Sequence, residues 1–170
     1  MTNDTQWHIA QINIATALYP EDDERIAEFY ARLDEINALA DESAGFVWRL
    51  QSESGNATDI QVSDDPMLIV NMSVWESVEA LFEFAYKSAH RTVLAGRKQW
   101  FKRPDGAHQA LWWVPAGHQP AVEEGMARLA MVNKAGPSAE AFTFKQKFPP
   151  PGSSGGPEDM APEPYCHGWS

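Results

Sequence analysis

The stretch Met67-Leu-Ile-Val-Asn-Met-Ser-Val-Trp75, running straight into Glu76-Ser-Val-Glu-Ala-Leu-Phe-Glu-Phe-Ala85, decides the fold. Its first half reads as a strand, rich in β-branched and large apolar residues and free of Gly, Pro and charge. Side chains alternate across a strand. Leu68, Val70, Met72 and Val74 therefore share one wholly apolar face, and Met67, Ile69, Asn71, Ser73 and Trp75 share the other. After Trp75 the period changes. Ser77 suits a helix N-cap, with Glu79 in the first turn. Val78, Leu81, Phe82 and Ala85 then fall at the i, i+3, i+4 and i+7 positions of one helical face.

Working outward, Trp7 to Ile14 reads as a first strand. Pro20 then opens a helix whose first turn carries Glu21, Asp22, Asp23 and Glu24, where acids suit the positive end of the macrodipole. Ile26, Phe29, Leu33, Ile36 and Ala40 form its buried stripe, and Gly45 suits a C-terminal cap. Phe46 to Gln51 is a second strand, and the polar stretch from Ser52 to Pro66 is a loop. Helical character resumes from His90 to about Phe101, after a break near Ser88. Gln109 to Pro115 is the fourth strand. Pro120 suits the first position of a last helix, with Val122, Met126, Leu129 and Asn133 on one face and Gly136-Pro137 as its stop. Residues 138 to 148 read as an appended strand or arm.

The composition changes at Pro149. Six of the last 22 residues are proline and four are glycine, too little apolar surface to offset the entropy of ordering. The expected organisation is one domain over residues 1–148 and a flexible tail over 149–170. The order β-α-β-β-α-β plus a C-terminal helix predicts a ferredoxin-like α+β domain. Such a domain has a four-stranded antiparallel sheet with helices on one face.

The two faces differ in kind. In the first strand Ala10, Ile12 and Ile14 form the plainer face, with His8 at its end. Trp7, Ile9, Gln11 and Asn13 form the other. The face of Gln11, Asn13, Asn71 and Ser73 carries no charge, unlike a face open to water, yet unpaired buried amides cost free energy. A semi-enclosed cavity accommodates both facts. The expectation is that the apolar face meets the helices and that the amide face is closed by a second copy, making a homodimer through the sheet faces. The plainer alternative is that the amides bond to each other in an ordinary interface.

The chain has 170 residues, 44 % of them apolar, and a formal net charge of −11. That charge opposes binding to a nucleic-acid polyanion, which rewards Lys and Arg. One local exception is Arg91, Arg97, Lys98, Lys102 and Arg103, a solvated helix face or an attractor of an anionic small molecule. No apolar run reaches the roughly 18 residues of a membrane span, and the N-terminus lacks signal-peptide character. Cys166 is the only cysteine, so no internal disulfide can form. By elimination these features fit a cytoplasmic protein.

Residues 70 to 90 resemble the strand-to-helix segment of the dimeric α/β-barrel superfamily. Its recognisable pieces here are Trp75-Glu76-Ser77, Glu79-Ala80-Leu81 and Ser88-Ala89-His90. The superfamily includes cofactor-free antibiotic-biosynthesis monooxygenases and haem-degrading monooxygenases. Over residues 5 to 150 the chain most resembles one bacterial family of unknown function within it. Ala10-Gln-Ile-Asn-Ile-Ala15, Gly45-Phe-Val-Trp-Arg-Leu50 and Leu111-Trp-Trp-Val-Pro-Ala-Gly-His118 carry that match.

The resemblance implies that Asn13 and Trp75 line a cavity for an electron-rich aromatic metabolite. Gln11, Asn71 and Ser73 share their face, where amides can hydrogen-bond a developing oxyanion. His90 is the candidate base. In the haem-degrading relatives a histidine of this helical region ligates iron, which makes haem through His90 the alternative cofactor to none, although Arg91 departs from the pattern. Trp112 and Trp113 are adjacent in a strand, as are Trp48 and Arg49, so one of each pair faces the cavity and alternation leaves open which. His8, His108 and His118 lack ligand spacing, Cys166-His167 is a weak metal signal, and no metal site is expected. Three readings follow: a cofactor-independent monooxygenase, a haem protein using His90, and a non-catalytic dimeric binding protein.

Overall fold

The computed structural model describes residues 5–51, 65–87 and 98–159. The main elements in chain order are β1 (Trp7–Thr16), α1 (Ala27–Glu42), β2 (Phe46–Arg49), β3 (Leu68–Trp75), α2 (Val78–Phe82), β4 (Gln109–Pro115) and α3 (Val122–Ala135). The four strands form one antiparallel sheet in the order β2-β3-β1-β4. This is the ferredoxin-like α+β arrangement expected from the sequence. β1 is paired along both edges, with Gln11 opposite Ser73 and Leu111, and Asn13 opposite Asn71 and Gln109.

Local chemistry sets the helix ends. Ser77 Oγ accepts from the Ala80 amide at 3.1 Å and opens α2, as its position after Glu76 predicts. The first helix starts later than Pro20. Asp23 caps a short 3-10 turn over Glu24–Ile26, and α1 follows it. The Arg25 guanidinium, 2.7 Å from the Asp23 carboxylate, holds its pKa down to about 2. Gly45 has φ +83, and a Cβ there would lie 2.6 Å from the Ala80 Cβ. Its carbonyl accepts from the Glu76 amide at 2.7 Å, so α1 reaches the β3–α2 corner only through a residue without a side chain. α3 begins at Val122 rather than Pro120, with Ala121 at the cap and Gly136 in the left-handed region closing it.

The sheet faces are partitioned as alternation predicts, but their coverings are not. Ala10, Ile12, Val70, Met72, Val74, Ala110 and Trp112 are fully buried in a cluster with Leu129 and Val132 of α3. A Cβ on Gly125 of α3 would lie 2.9 Å from Ile12 Cδ1 and 3.1 Å from the Met72 thioether. The apolar face is therefore closed by the C-terminal helix. α1 and α2 lie on the amide face: Phe29 and Leu33 pack with Ala15 and Ile69, and Ala40, Val78 and Leu81 pack with Ile9 and Trp75. α1 and α2 thus share one face, as expected of a ferredoxin-like domain, but it is the amide face and not the apolar face that the sequence assigned to them; the extra C-terminal helix takes the apolar one. A periodic stripe identifies a buried helix face and says nothing about which sheet face receives it. With helices of the same chain packed on both faces, an open sheet face no longer argues for a homodimer.

The segment over 138–148 is core rather than appendage. Phe142 exchanges both backbone hydrogen bonds with Leu111, at 2.7 and 2.9 Å, extending the sheet beyond β4. Phe142 and Phe144 are 0 % and 1 % exposed. Beyond them β5 (Gln146–Lys147) pairs with β6 (Glu158–Asp159), across the boundary that composition suggests at 148. Lys147 Nζ sits 3.0 Å from Glu79 and 3.4 Å from Glu158, which lowers the Glu79 pKa and raises its own. Residues 151–158 are exposed, and 160–170 lie outside the described residues. Among the described residues no helix is long and apolar enough to cross a membrane.

Candidate functional site

The amide face is layered along the strands. At one end Ala15, Met67 and Ile69 pack with Phe29, Leu33, Trp100 and Phe101. At the other, Ile9, Trp75 and Leu111 pack with Ala40, Leu81 and Phe142. Between these two apolar clusters lies a polar strip contributed by the middles of β1 and β3.

Antiparallel pairing brings the strip's members together across about sixty residues of sequence. Gln11 Nε2 donates to Asn71 Oδ1 at 2.8 Å and to Ser73 Oγ at 2.9 Å. Asn13 Nδ2 donates to Gln11 Oε1 at 3.1 Å. Trp75 Nε1 donates to Ser73 Oγ at 2.9 Å. Gln11 and Ser73 are the two buried polar side chains of the described core, whereas Asn13 and Asn71 are half-buried. The indole is wholly buried, stacked on Phe84 with centroids 5.1 Å apart and met edge-on by Phe46. An aromatic floor thus carries a hydrogen-bonded row that emerges toward solvent at its asparagines.

Of the residues expected on this face, Arg49 is there. It lies opposite Ser73 in the β2–β3 register. Its Nε bonds Asp41 Oδ1 of α1 at 2.8 Å, with the Arg49 side chain 14 % exposed. Trp113 is on the same face, facing Ile9 across the ladder, but its Nε1 donates to the Phe148 carbonyl at 2.9 Å. Trp48 and Trp112 are on the other face and are part of the α3 core. Trp112 Nε1 donates to Glu124 Oε2 at 2.8 Å, and Glu124 Oε1 bonds His118 Nε2 at 2.8 Å. His8 also belongs to that face, with its Nδ1 buried and without a partner among the described residues. His90, the expected base or haem ligand, lies outside the described residues, as do Cys166 and His167.

Asp41 and Glu124 were not singled out by sequence reasoning. Each is an acid on a helix whose partner comes from a strand, and nothing in its local spacing marks it. Among the described residues no group of three or more His, Cys, Asp or Glu is placed to hold a metal ion. A separate open depression of about 530 Å³ lies between Gly45 and α2, rimmed by Glu76, Glu79 and Glu83. It contains none of the strip's residues.

Comparison with known proteins places the chain in a family. Residues 8–156 match the model of DUF3291, described as a domain of unknown function, and the chain belongs to that family. No curated protein matches it. Among solved structures it is similar to Rv0793 from Mycobacterium tuberculosis, with 17 % identity and a TM-score of 0.44, over 67 % of this chain and 99 % of that one. It is also similar to NE2512, a protein of unknown function from Nitrosomonas europaea, with 12 % identity and a TM-score of 0.42, over 69 % and 98 %. A third similar structure, "Putative antibiotic biosynthesis monooxygenase from Nitrosomonas europaea", has 13 % identity and a TM-score of 0.42, over 71 % and 100 %.

Proposed function

We propose that this member of the DUF3291 family binds a small aromatic metabolite over the amide strip and oxidises it with dioxygen, without a cofactor. The observation that carries the reading is the strip itself: five linked polar side chains between two apolar clusters, half-buried at Asn13 and Asn71. An aromatic ring suits the apolar flanks, and a phenolic oxygen suits the amides. An electron-rich phenol can supply all four electrons that dioxygen takes. One oxygen atom then enters the ring as a carbonyl and the other leaves as water. The protein's share is to hold the ring, exclude water and stabilise negative charge on the substrate oxygen. The sequence resemblance to cofactor-free monooxygenases supports the same reading.

The test is a thermal melt with a panel of small phenols, paired with an oxygen electrode. At least one phenol is expected to raise the midpoint, since a ligand that binds only the folded state stabilises it, and to be consumed with oxygen. Asn13→Ala and Asn71→Ala are expected to lose that shift while melting near the parent, because water replaces a half-exposed amide partner. A parent melt that no phenol moves defeats the proposal. A shift without oxygen uptake leaves a binding protein.

A further inference from the structure

We infer that the open depression beside α2 is a binding site for a neutral or cationic aromatic ring, with Phe84 as its gate. The ring enters from the depression and takes the place of the Phe84 ring on the Trp75 indole. Three observations meet at Phe84. Its side chain lines the depression, whose volume of about 530 Å³ is that of a small-molecule site. The same ring stacks on Trp75, with centroids 5.1 Å apart and planes 26° from parallel. Trp75 is 0 % exposed and does not itself line the depression, so Phe84 stands between the open space and the indole. The indole face is thus already fitted to a flat ring at stacking distance.

The third observation is the backbone that carries Phe84. α2 is held at its start by the Ser77 cap and by buried Val78 and Leu81. From Glu83 to Lys87 the helix passes into a π turn, whose hydrogen bonds span one residue more than those of an α turn. Passing between the two registers turns side chains in such a segment by up to about 100° about the helix axis. Phe84 lies in that segment and is half-buried. A cavity, a ring that plugs it and a register that can withdraw the ring are therefore found together.

Charge selects the ligand. The depression is lined by Glu76, Glu79 and Glu83 and by no Lys or Arg. Lys147 reaches Glu79 at 3.0 Å and is shared with Glu158 at 3.4 Å. Counting it, the rim carries three carboxylates to one ammonium among the described residues. A ring bearing a carboxylate is repelled there, and a neutral or ammonium-bearing ring is admitted. The binding site stands on this geometry, whereas its use in oxidation rests on the function proposed above. Trp75 joins the two, since its Nε1 donates to Ser73 Oγ at 2.9 Å.

The probes are p-cresol, tyramine and 4-hydroxyphenylacetate, one phenol ring bearing no charge, an ammonium or a carboxylate. Binding is measured by calorimetric titration and thermal shift. The parent is expected to bind p-cresol and tyramine and to reject 4-hydroxyphenylacetate. Phe84→Ala should bind p-cresol about tenfold more tightly, because no ring has to be displaced first. Phe84→Leu, which keeps apolar bulk without the ring, should move the same way and serves if Phe84→Ala does not fold. Equal p-cresol affinity in the parent and both Phe84 variants overturns the inference; if Asn13→Ala then abolishes that binding, the proposed function stands without it. Tightening in the Phe84 variants, with p-cresol bound equally by the parent and by Asn13→Ala and no oxygen consumed, supports the site and defeats the proposed function. Binding of 4-hydroxyphenylacetate as tight as that of p-cresol overturns the charge selection. p-Cresol that binds the Phe84 variants and never the parent reports a hole made by the substitution, and overturns the inference.

Discussion

Gln11 holds the strip together from a position 3 % exposed, giving two hydrogen bonds and accepting one. Replacing it with leucine keeps much of the volume and removes all three. Asn13 and Asn71 are half-buried and can turn to water, but Ser73 and Trp75 stay behind in the interior. Gln11→Leu is therefore expected to cost about 1–3 kcal/mol. It should appear as a lower urea midpoint with an unchanged slope. A midpoint equal to the parent would mean that the row contributes nothing to folding. At this scale the sequence was informative about company and silent about partners. Alternation alone puts Gln11, Asn13, Asn71, Ser73 and Trp75 on one face. That Gln11 stands opposite Ser73 and reaches Asn71 as well depends on register, and no residue of either strand encodes it locally.

α3 shows how an element can be predicted and still be misplaced. Its stripe, its Gly136 stop and its approximate span follow from periodicity, yet its docking surface does not. The helix reaches the apolar sheet face at Gly125, where a Cβ would press on Ile12 and Met72. Alanine there gains helix propensity and meets a 2.9 Å contact, two effects of opposite sign. Leucine has no such balance. Gly125→Leu is expected to destabilise by about 1–3 kcal/mol through overpacking, measured by chemical denaturation, and near-parental stability would show that α3 docks less closely than this. The segment over 138–148 was harder to read. Phe142 and Phe144 are spaced like any short strand, and only pairing to the outer edge of β4 makes them core.

At the scale of the whole molecule, the apolar face is covered by α3, and the two ends of the amide face by α1, α2 and Phe142, all within one chain. The core of the described residues is thus built within one chain. The melting midpoint is expected to stay constant as protein concentration rises from the low micromolar range about a hundredfold. A midpoint that climbs with concentration would show that a partner buries surface essential to the fold, because association stabilises by mass action. Composition and periodicity by themselves determined the element order, the ferredoxin-like class, the sorting of each strand into two faces and the set of polar residues sharing one of them. Those properties depend on spacings of two and of three to four residues, which a chain carries locally. Tertiary structure alone decided which helix covers which face, which of Trp112 and Trp113 and of Trp48 and Arg49 faces the strip, and which acids answer Arg49 and Trp112. Those outcomes are set by contacts between residues far apart in the chain, where a helix stripe fits either side of a sheet and only packing volume, register and hydrogen-bond closure choose between them.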